Sequence, residues 1–227
     1  MPLEWNQLPT KGVQVIITLG SHKGGCSKST LTVNVAAELA RQGRRVLVVD
    51  SDPNSSASRW IAYREQHSPE RPPVTGIQKR GDLKNTLVDL DRGYDIVLVD
   101  TGGFDSQELR SAAIASHLLI TPVRPNSMDT DTLPHFAEVI TAVQDYNPGL
   151  VVRALFTQVP TNDRGRALDD GKGVLADYPE FPLFDTVMRM RSAYSTVNPL
   201  GRGVVEWNDY KAKAEIQVLV QEVIDLV

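Results

Sequence analysis

Short β-branched apolar runs alternate along this chain with segments of helical period, and that alternation restricts the fold more than any other feature. Residues 13–19, 46–50, 96–100, 117–121 and 151–156 read as buried strands, and 74–78 and 183–187 as weaker ones. Between and after them, 29–42, 55–66, 82–91, 106–115, 130–146, 167–178 and 210–226 read as helices. In the first helix Leu31, Val35 and Leu39 recur at i, i+4 and i+8, and Gly43 is placed to end it. Strand–helix alternation predicts βα units with right-handed connections, hence an α/β fold: a doubly wound, mostly parallel sheet flanked by helices. With 227 residues and no low-complexity linker or internal repeat, the chain is expected to form one domain over 1–227.

The first strand and first helix are joined by Gly20-Ser21-His22-Lys23-Gly24-Gly25-Cys26-Ser27-Lys28-Ser29-Thr30. A glycine-rich turn between a strand and a helix can bring backbone N–H groups together as a nest for phosphate oxygens, and the helix start adds unpaired donors. In that reading Lys28 reaches the β- and γ-phosphates, Ser29 offers its hydroxyl to magnesium, and Thr30 touches the α-phosphate. Two positions depart from the general pattern: His22 stands for its first glycine, and Ser27 for the glycine before the lysine. A left-handed backbone at Ser27 costs on the order of 1 kcal/mol.

A phosphate site also needs groups to hold metal and orient water. Asp100 ends the strongly apolar run Ile96-Val97-Leu98-Val99, where an acid can hold magnesium directly or through water. Asp50 and Asp52 end the second strand, in Val48-Val49-Asp50-Ser51-Asp52-Pro53. Two apart on an extended chain, they are expected to face the crevice at the carboxyl edge of the sheet together. Taken alone, Asp-x-Asp-Pro is also an ordinary turn signal.

The run Lys23-Gly24-Gly25-Cys26-Ser27-Lys28-Ser29-Thr30 resembles the deviant Walker A motif of ParA-type partition ATPases, small phosphate-loop proteins with an extra lysine at the loop's start. Residues 46–53 resemble that family's second acidic motif and 94–103 its Walker B strand. Further likeness lies in Asp105-Ser106-Gln107-Glu108-Leu109-Arg110, in Thr121-Pro122-Val123 with Asp129, and in Tyr194 followed by Gly203-Val204-Val205-Glu206. It is the short form that the chain resembles, without a helix-turn-helix domain of its own. The resemblance implies ATP and Mg2+ as ligands, bound along 23–30. It implies that Lys23, Lys28 and Asp52 are catalytic, Lys23 by crossing a dimer interface and Asp52 by positioning water. Ser29 would bind magnesium, with Asp50 and Asp100 supporting its shell. It also implies an ATP-dependent homodimer that binds DNA non-specifically and is stimulated by a ParB-type centromere-binding partner.

Composition limits the alternatives. The net charge is −4, so DNA affinity would need a local basic patch. Arg189, Arg191, Arg202, Lys211 and Lys213 against Glu206 and Asp209 form a candidate, readable equally as solvated surface charge. A single cysteine, Cys26, excludes an internal disulfide framework and an iron–sulfur relative, and is expected to pack the loop. The start of the chain lacks the pattern of a signal peptide, and a cytoplasmic, nucleoid-associated location without membrane attachment is expected. A MinD-like membrane-positioning ATPase is the rival reading. It calls for a basic amphipathic last helix, whereas this one carries Glu215, Gln217, Gln221, Glu222 and Asp225. An ATP-dependent ligase or kinase, or an ATP binder with little hydrolysis, are the remaining alternatives.

Overall fold

The structure, a computed structural model, describes residues 15–90, 93–103, 105–125 and 132–227. Val13, Asp129 and the first residues of the expected fifth helix lie outside that set.

Seven parallel strands form one sheet: β1 (Val15–Leu19), β2 (Val46–Asp50), β3 (Thr75–Gln78), β4 (Ile96–Asp100), β5 (Leu118–Val123), β6 (Val151–Val159) and β7 (Leu183–Arg189). Their order is β3-β2-β4-β1-β5-β6-β7, so β1 lies in the centre and the winding reverses beside it. The eight helices among the described residues are α1 (Lys28–Arg41), α2 (Ser56–His67), α3 (Lys84–Asp89), α4 (Gln107–Ala115), α5 (Leu133–Tyr146), α6 (Arg166–Leu175), α7 (Ser192–Val197) and α8 (Tyr210–Ile224).

Alternation along each strand sorts the core into two layers. Val15, Ile17 and Leu19 of β1 join Val46, Val48, Ile96 and Leu98 in a cluster with Leu31, Val35 and Leu39 of α1, Trp60 of α2, and Ile216, Leu219 and Val220 of α8. The intervening Ile16, Leu47, Val49, Val97 and Val99 face the other way, onto Leu87 of α3 and Ala112 of α4. Helices therefore cover both faces, as expected for a doubly wound sheet.

Strand and helix ends differ from the sequence reading where a local signal misleads. β5 runs past Thr121 through Pro122 to Val123 because its pairing with β1 stops at Ile120; beyond that Pro122 needs no N–H on that side. β6 continues past Phe156 to Val159, taking in the polar pair Thr157 and Gln158. The short α7, followed by 3₁₀ turns at Asn198–Leu200 and Val204–Glu206, has too few residues to show a period.

That C-terminal turn region docks on α2. Trp60 Nε1 donates to the Arg202 carbonyl (3.1 Å), Ser68 Oγ to the Leu200 carbonyl (3.0 Å), and Arg64 to the Gly201 carbonyl (2.9 Å). Arg64 also forms a two-pronged pair with Glu206 (2.9 and 2.8 Å), with 3% and 2% of the two side chains exposed. Gly201, at φ 62°, lies so close to α2 that a Cβ would sit 2.1 Å from the Arg64 nitrogen. Only glycine meets both demands.

Candidate nucleotide site

The loop from Gly20 to Ser27 and the start of α1 sit over the carboxyl ends of β1, β4 and β5, beside the reversal of winding where such sheets bind ligands. Four loop carbonyls are taken by side-chain donors. Ser21 Oγ donates to Lys23 O (2.6 Å), Cys26 Sγ to Gly24 O (3.8 Å), Gln158 Nε2 to Gly25 O (2.8 Å) and Thr157 Oγ1 to Cys26 O (3.1 Å). Arg124 adds a second donor to Gly25 O. In a trans peptide the C=O and the next N–H point opposite ways. Each held carbonyl thus fixes the opposite direction for the amide after it, those of Gly24, Gly25, Cys26 and Ser27, the donors a phosphate nest would use.

Lys28 is buried at the first turn of α1, and its Nζ donates to Ser21 Oγ at 3.1 Å, which folds the ammonium back over the loop. Lys23 is exposed. Ser27 adopts φ 71°, ψ 22°, the left-handed conformation expected for the position, and its hydroxyl accepts from Gln158 Nε2 at 2.8 Å. Burial pushes the Cys26 thiol pKa up, while Arg124, Lys28 and Lys23 pull it down; the thiol packs beneath the loop.

Asp100 and Asp50 are register partners on β4 and β2 and both are fully buried. Asp100 Oδ1 accepts from Thr32 at 3.4 Å. Its Oδ2 is buried without a hydrogen-bond partner among the described residues. Burial raises the Asp100 pKa to about 7; the Ser29 hydroxyl lowers it, Asp50 raises it, Lys28 lowers it and Asp52 raises it. A buried carboxylate with an unused oxygen, beside a serine hydroxyl, fits a magnesium ion better than it fits a purely structural role.

The two acids of β2 do not share one direction. The strand ends at Asp50, so the extended-chain spacing does not carry on to Asp52. Asp50 instead accepts from the amides of Asp52 (3.1 Å) and Ser58 (2.8 Å), fastening the β2–α2 turn and the first turn of α2. Asp52 lines a cleft of about 400 Å3 together with Lys28, Ser29, Thr30 and Gln158. A neighbouring cleft of about 570 Å3, sharing Ser27, Thr30 and Gln158, is walled by Met188, Met190 and Tyr194. Gly102 lets the β4 and β2 loops approach, since a Cβ there would lie 2.7 Å from Pro53 Cδ.

The five basic residues of the candidate DNA patch are divided. Arg191 is drawn inward by Glu215 of α8 (2.7 Å), whose other oxygen accepts from Tyr194 (3.0 Å) and from the Arg189 amide (3.3 Å). Arg189 donates to the Pro160 carbonyl (3.0 Å). Arg202 is tied to Ser68 (3.0 Å) and Glu70 (3.4 Å) after α2. Lys211, exposed, and Lys213, half-buried, lie on the first turns of α8. Gln158, Thr157 and Arg124 are site residues that the sequence reading passed over. The polar pair ending an apolar strand was the available signal.

A pH dependence follows for the ligand-free protein. The folded Asp100 pKa lies above the unfolded value of 3.8, so its protonated form favours folding below about pH 4, and that advantage is lost as pH rises through about 7. Asp100→Asn is expected to gain stability relative to wild type by up to about 1.4 kcal/mol per pH unit across that window, levelling above it. Denaturant unfolding from pH 5 to 8 measures this; a variant-to-wild-type difference that does not change with pH would contradict it.

The sequence profile of the VirC1 protein family matches residues 14–223. The protein virC1 of Rhizobium rhizogenes is 29% identical over 191 residues, covering 82% of this chain and 81% of that protein. The maintenance of carboxysome distribution protein A of Gloeobacter kilaueensis is 28% identical over 223 residues, 94% and 96% of the two chains. The chromosome-partitioning ATPase Soj of Thermus thermophilus is 28% identical over 193 residues, 74% of each. Among solved structures, an ATP complex of a Cyanothece McdA variant superposes with a TM-score of 0.75 at 12% identity, covering 94% of this chain and 97% of that one. The septum site-determining protein MinD with Mg-ADP from Pyrococcus horikoshii does so with 0.69 at 18%, covering 94% and 96%. These likenesses agree with the parallel sheet described above. The chain belongs to the VirC1 family and, with it, to the ParA-type partition ATPases.

Proposed function

We propose that this protein is an ATP-dependent partition or positioning ATPase, which dimerises on ATP, holds DNA without reading its sequence, and hydrolyses ATP when a ParB-type partner engages it. The observation that carries the reading is the convergence, in one cleft, of Gly25 and Ser27 of the loop with Lys28, Ser29 and Asp52, with the unused oxygen of Asp100 near the Ser29 hydroxyl. The loop amides and Lys28 bind the β- and γ-phosphates, and Thr30 lies toward the α-phosphate. The cleft beyond Thr30, lined by Met188, Met190 and Tyr194 together with Arg189, Arg191 and Asn198, offers a place of mixed character for the base. The Ser29 hydroxyl and the Asp100 carboxylate would hold magnesium, with Asp50 stiffening the turn alongside. The metal they hold would supply positive charge against the negative charge that develops on the transferred phosphate. Asp52 orients the water that attacks the γ-phosphorus in line with the departing ADP oxygen. Lys23, exposed on the loop, reaches the phosphates of a second subunit's nucleotide.

Asp52→Ala tests the hydrolytic half. It is expected to leave ATP affinity within about twofold while lowering turnover by on the order of 100-fold, the usual scale for a lost water-positioning base. Normal turnover in that variant would remove Asp52 from the reaction. For DNA, Lys211→Ala with Lys213→Ala is expected to weaken ATP-dependent retention and to flatten its salt dependence by about 2 in log–log slope. An unaltered slope would place the DNA surface elsewhere.

Two features of α8 support this reading over a membrane-cycling one. Its apolar residues Ile216, Leu219, Val220 and Val223 are buried in the core. Its Glu222 accepts from the amides of Asp185 (2.9 Å) and Thr186 (3.0 Å), fixing the helix to β7. No helix among the described residues is long and apolar enough to cross a membrane.

A further inference from the structure

Two residues beside the phosphate loop hold backbone conformations that side chains disfavour, and they are bonded to each other. Ser27 has φ 71° and Gln158 has φ 54°. Each costs on the order of 1 kcal/mol and persists only where its surroundings impose it. Gln158 sits where the register of β6 against β7 shifts between Phe156 and Val159. A bulge of this kind turns a side chain away from its regular direction. The turned amide reaches 2.8 Å to Ser27 Oγ and 2.8 Å to the Gly25 carbonyl, so both protons of one NH2 group are used on the loop. Arg124, just after β5, donates to the same carbonyl from the other side. A Cβ on Gly25 would meet its guanidinium at 2.8 Å.

We propose that Gln158, assisted by Arg124, is a positioning residue that sets the loop in its phosphate-receiving form before nucleotide arrives, and that Ser27 is matched to Gln158 by supplying its second acceptor. The inference rests on the nucleotide reading above. A carbonyl gripped by two donors fixes its peptide plane, and with it the direction of the Cys26 N–H. Without that grip the Gly24–Gly25 segment, exposed and free of β-carbons, has wide backbone freedom and must be ordered by the ligand at a cost in affinity. The serine at 27 thereby gains a reason to stand where glycine is easier: its hydroxyl is half of the clamp.

The test uses Gln158→Leu, which keeps bulk and removes the donors, and Arg124→Ala as a second, independent variant. Affinity is measured for ADP and for inorganic tripolyphosphate by displacement of a fluorescent ADP, with magnesium present. Both ligands are expected to bind on the order of 10-fold more weakly to Gln158→Leu, the effect of two lost neutral hydrogen bonds. Loss confined to ADP would mean that Gln158 touches the base and would overturn the proposal, as would unchanged affinity for both ligands. A merely destabilised protein would lower the melting temperature and the active fraction without changing affinity. The single thiol gives a readout that needs no nucleotide. Cys26 is 3% exposed, and alkylation by iodoacetamide is expected to accelerate about 10-fold in Gln158→Leu as the loop loosens, and less in Arg124→Ala, which loses one bond to the loop and a cation that pulls the thiol pKa down. Equal alkylation rates in wild type and both variants would overturn the clamp even if the wild type bound nucleotide. A wild type that binds no nucleotide, with alkylation accelerated in the variants, would instead overturn the functional reading and leave the clamp standing. In a Ser27→Gly background Gln158→Leu is expected to cost less than in wild type; full additivity would dissolve the pairing.

Discussion

Lys28→Ala is expected to weaken ATP and ADP binding by on the order of 100-fold or more, measurable by titration with a fluorescent nucleotide analogue. The ammonium is buried, folded back over the loop by Ser21, and Lys28 lines one cleft with Ser29 and Asp52. Charge-assisted bonds to phosphate contribute about 1.5–3 kcal/mol each, and a lysine that bridges two phosphates makes two. The loss has a second part. Lys28 helps to hold the Asp100 pKa down, so its removal also makes the carboxylate harder to ionise and the metal harder to hold. The folded state should persist, because α1 keeps its apolar face in the core. Normal affinity in the variant would move the phosphate site away from this loop.

The second large effect concerns stability. Arg64→Ala is expected to destabilise the protein by about 3–5 kcal/mol, the scale measured when one member of a buried pair is removed. Glu206 would be left as a carboxylate with 2% of its side chain exposed, still accepting from the Gly203 amide (3.0 Å) but without its countercharge. The carbonyls of Pro72 and Gly201 would lose their donor as well, and Trp60 its cation at 5.1 Å. Arg64→Met combined with Glu206→Leu is expected to recover part of the loss, because the uncompensated charge is then gone. Guanidinium unfolding of the two variants decides it. A single variant within about 1 kcal/mol of wild type would show the pair to be dispensable.

How far the sequence could be read depends on the range of the physics concerned. Runs such as Val46–Asp50 and Ile96–Asp100 declare buried strands because every residue in them is apolar up to the acid, and the acid marks the edge where the strand meets the site. The placing of Lys28 and Ser29 at the start of a helix that follows a glycine-rich turn was legible because such a loop is a local object, set by consecutive residues. Asp50 was half legible: its place at the strand end follows from the run, but its direction depends on the turn that Ser58 completes eight residues later. The basic cluster was the least legible. Proximity in sequence placed Arg191 beside Arg202, whereas the fold gives one to Glu215 and the other to Ser68 and Glu70. For Gln158 the polar pair late in an apolar strand marks the place but not the role, which arises from a register shift between two strands and a loop 131 residues away.

The docking of α2 has a mechanical consequence. This helix of 12 residues starts just after Asp52 and is about 18 Å long. At one end its Ser58 amide holds Asp50, and toward the other Arg64 and the capping Ser68 are bolted to the turn from Leu200 to Glu206. A rod held at both ends cannot tilt at one without loading the other. Any force that shifts Asp50, and with it the turn that carries Asp52, is therefore felt at the far turn, and a protein gripping that turn has a stiff handle on the candidate site.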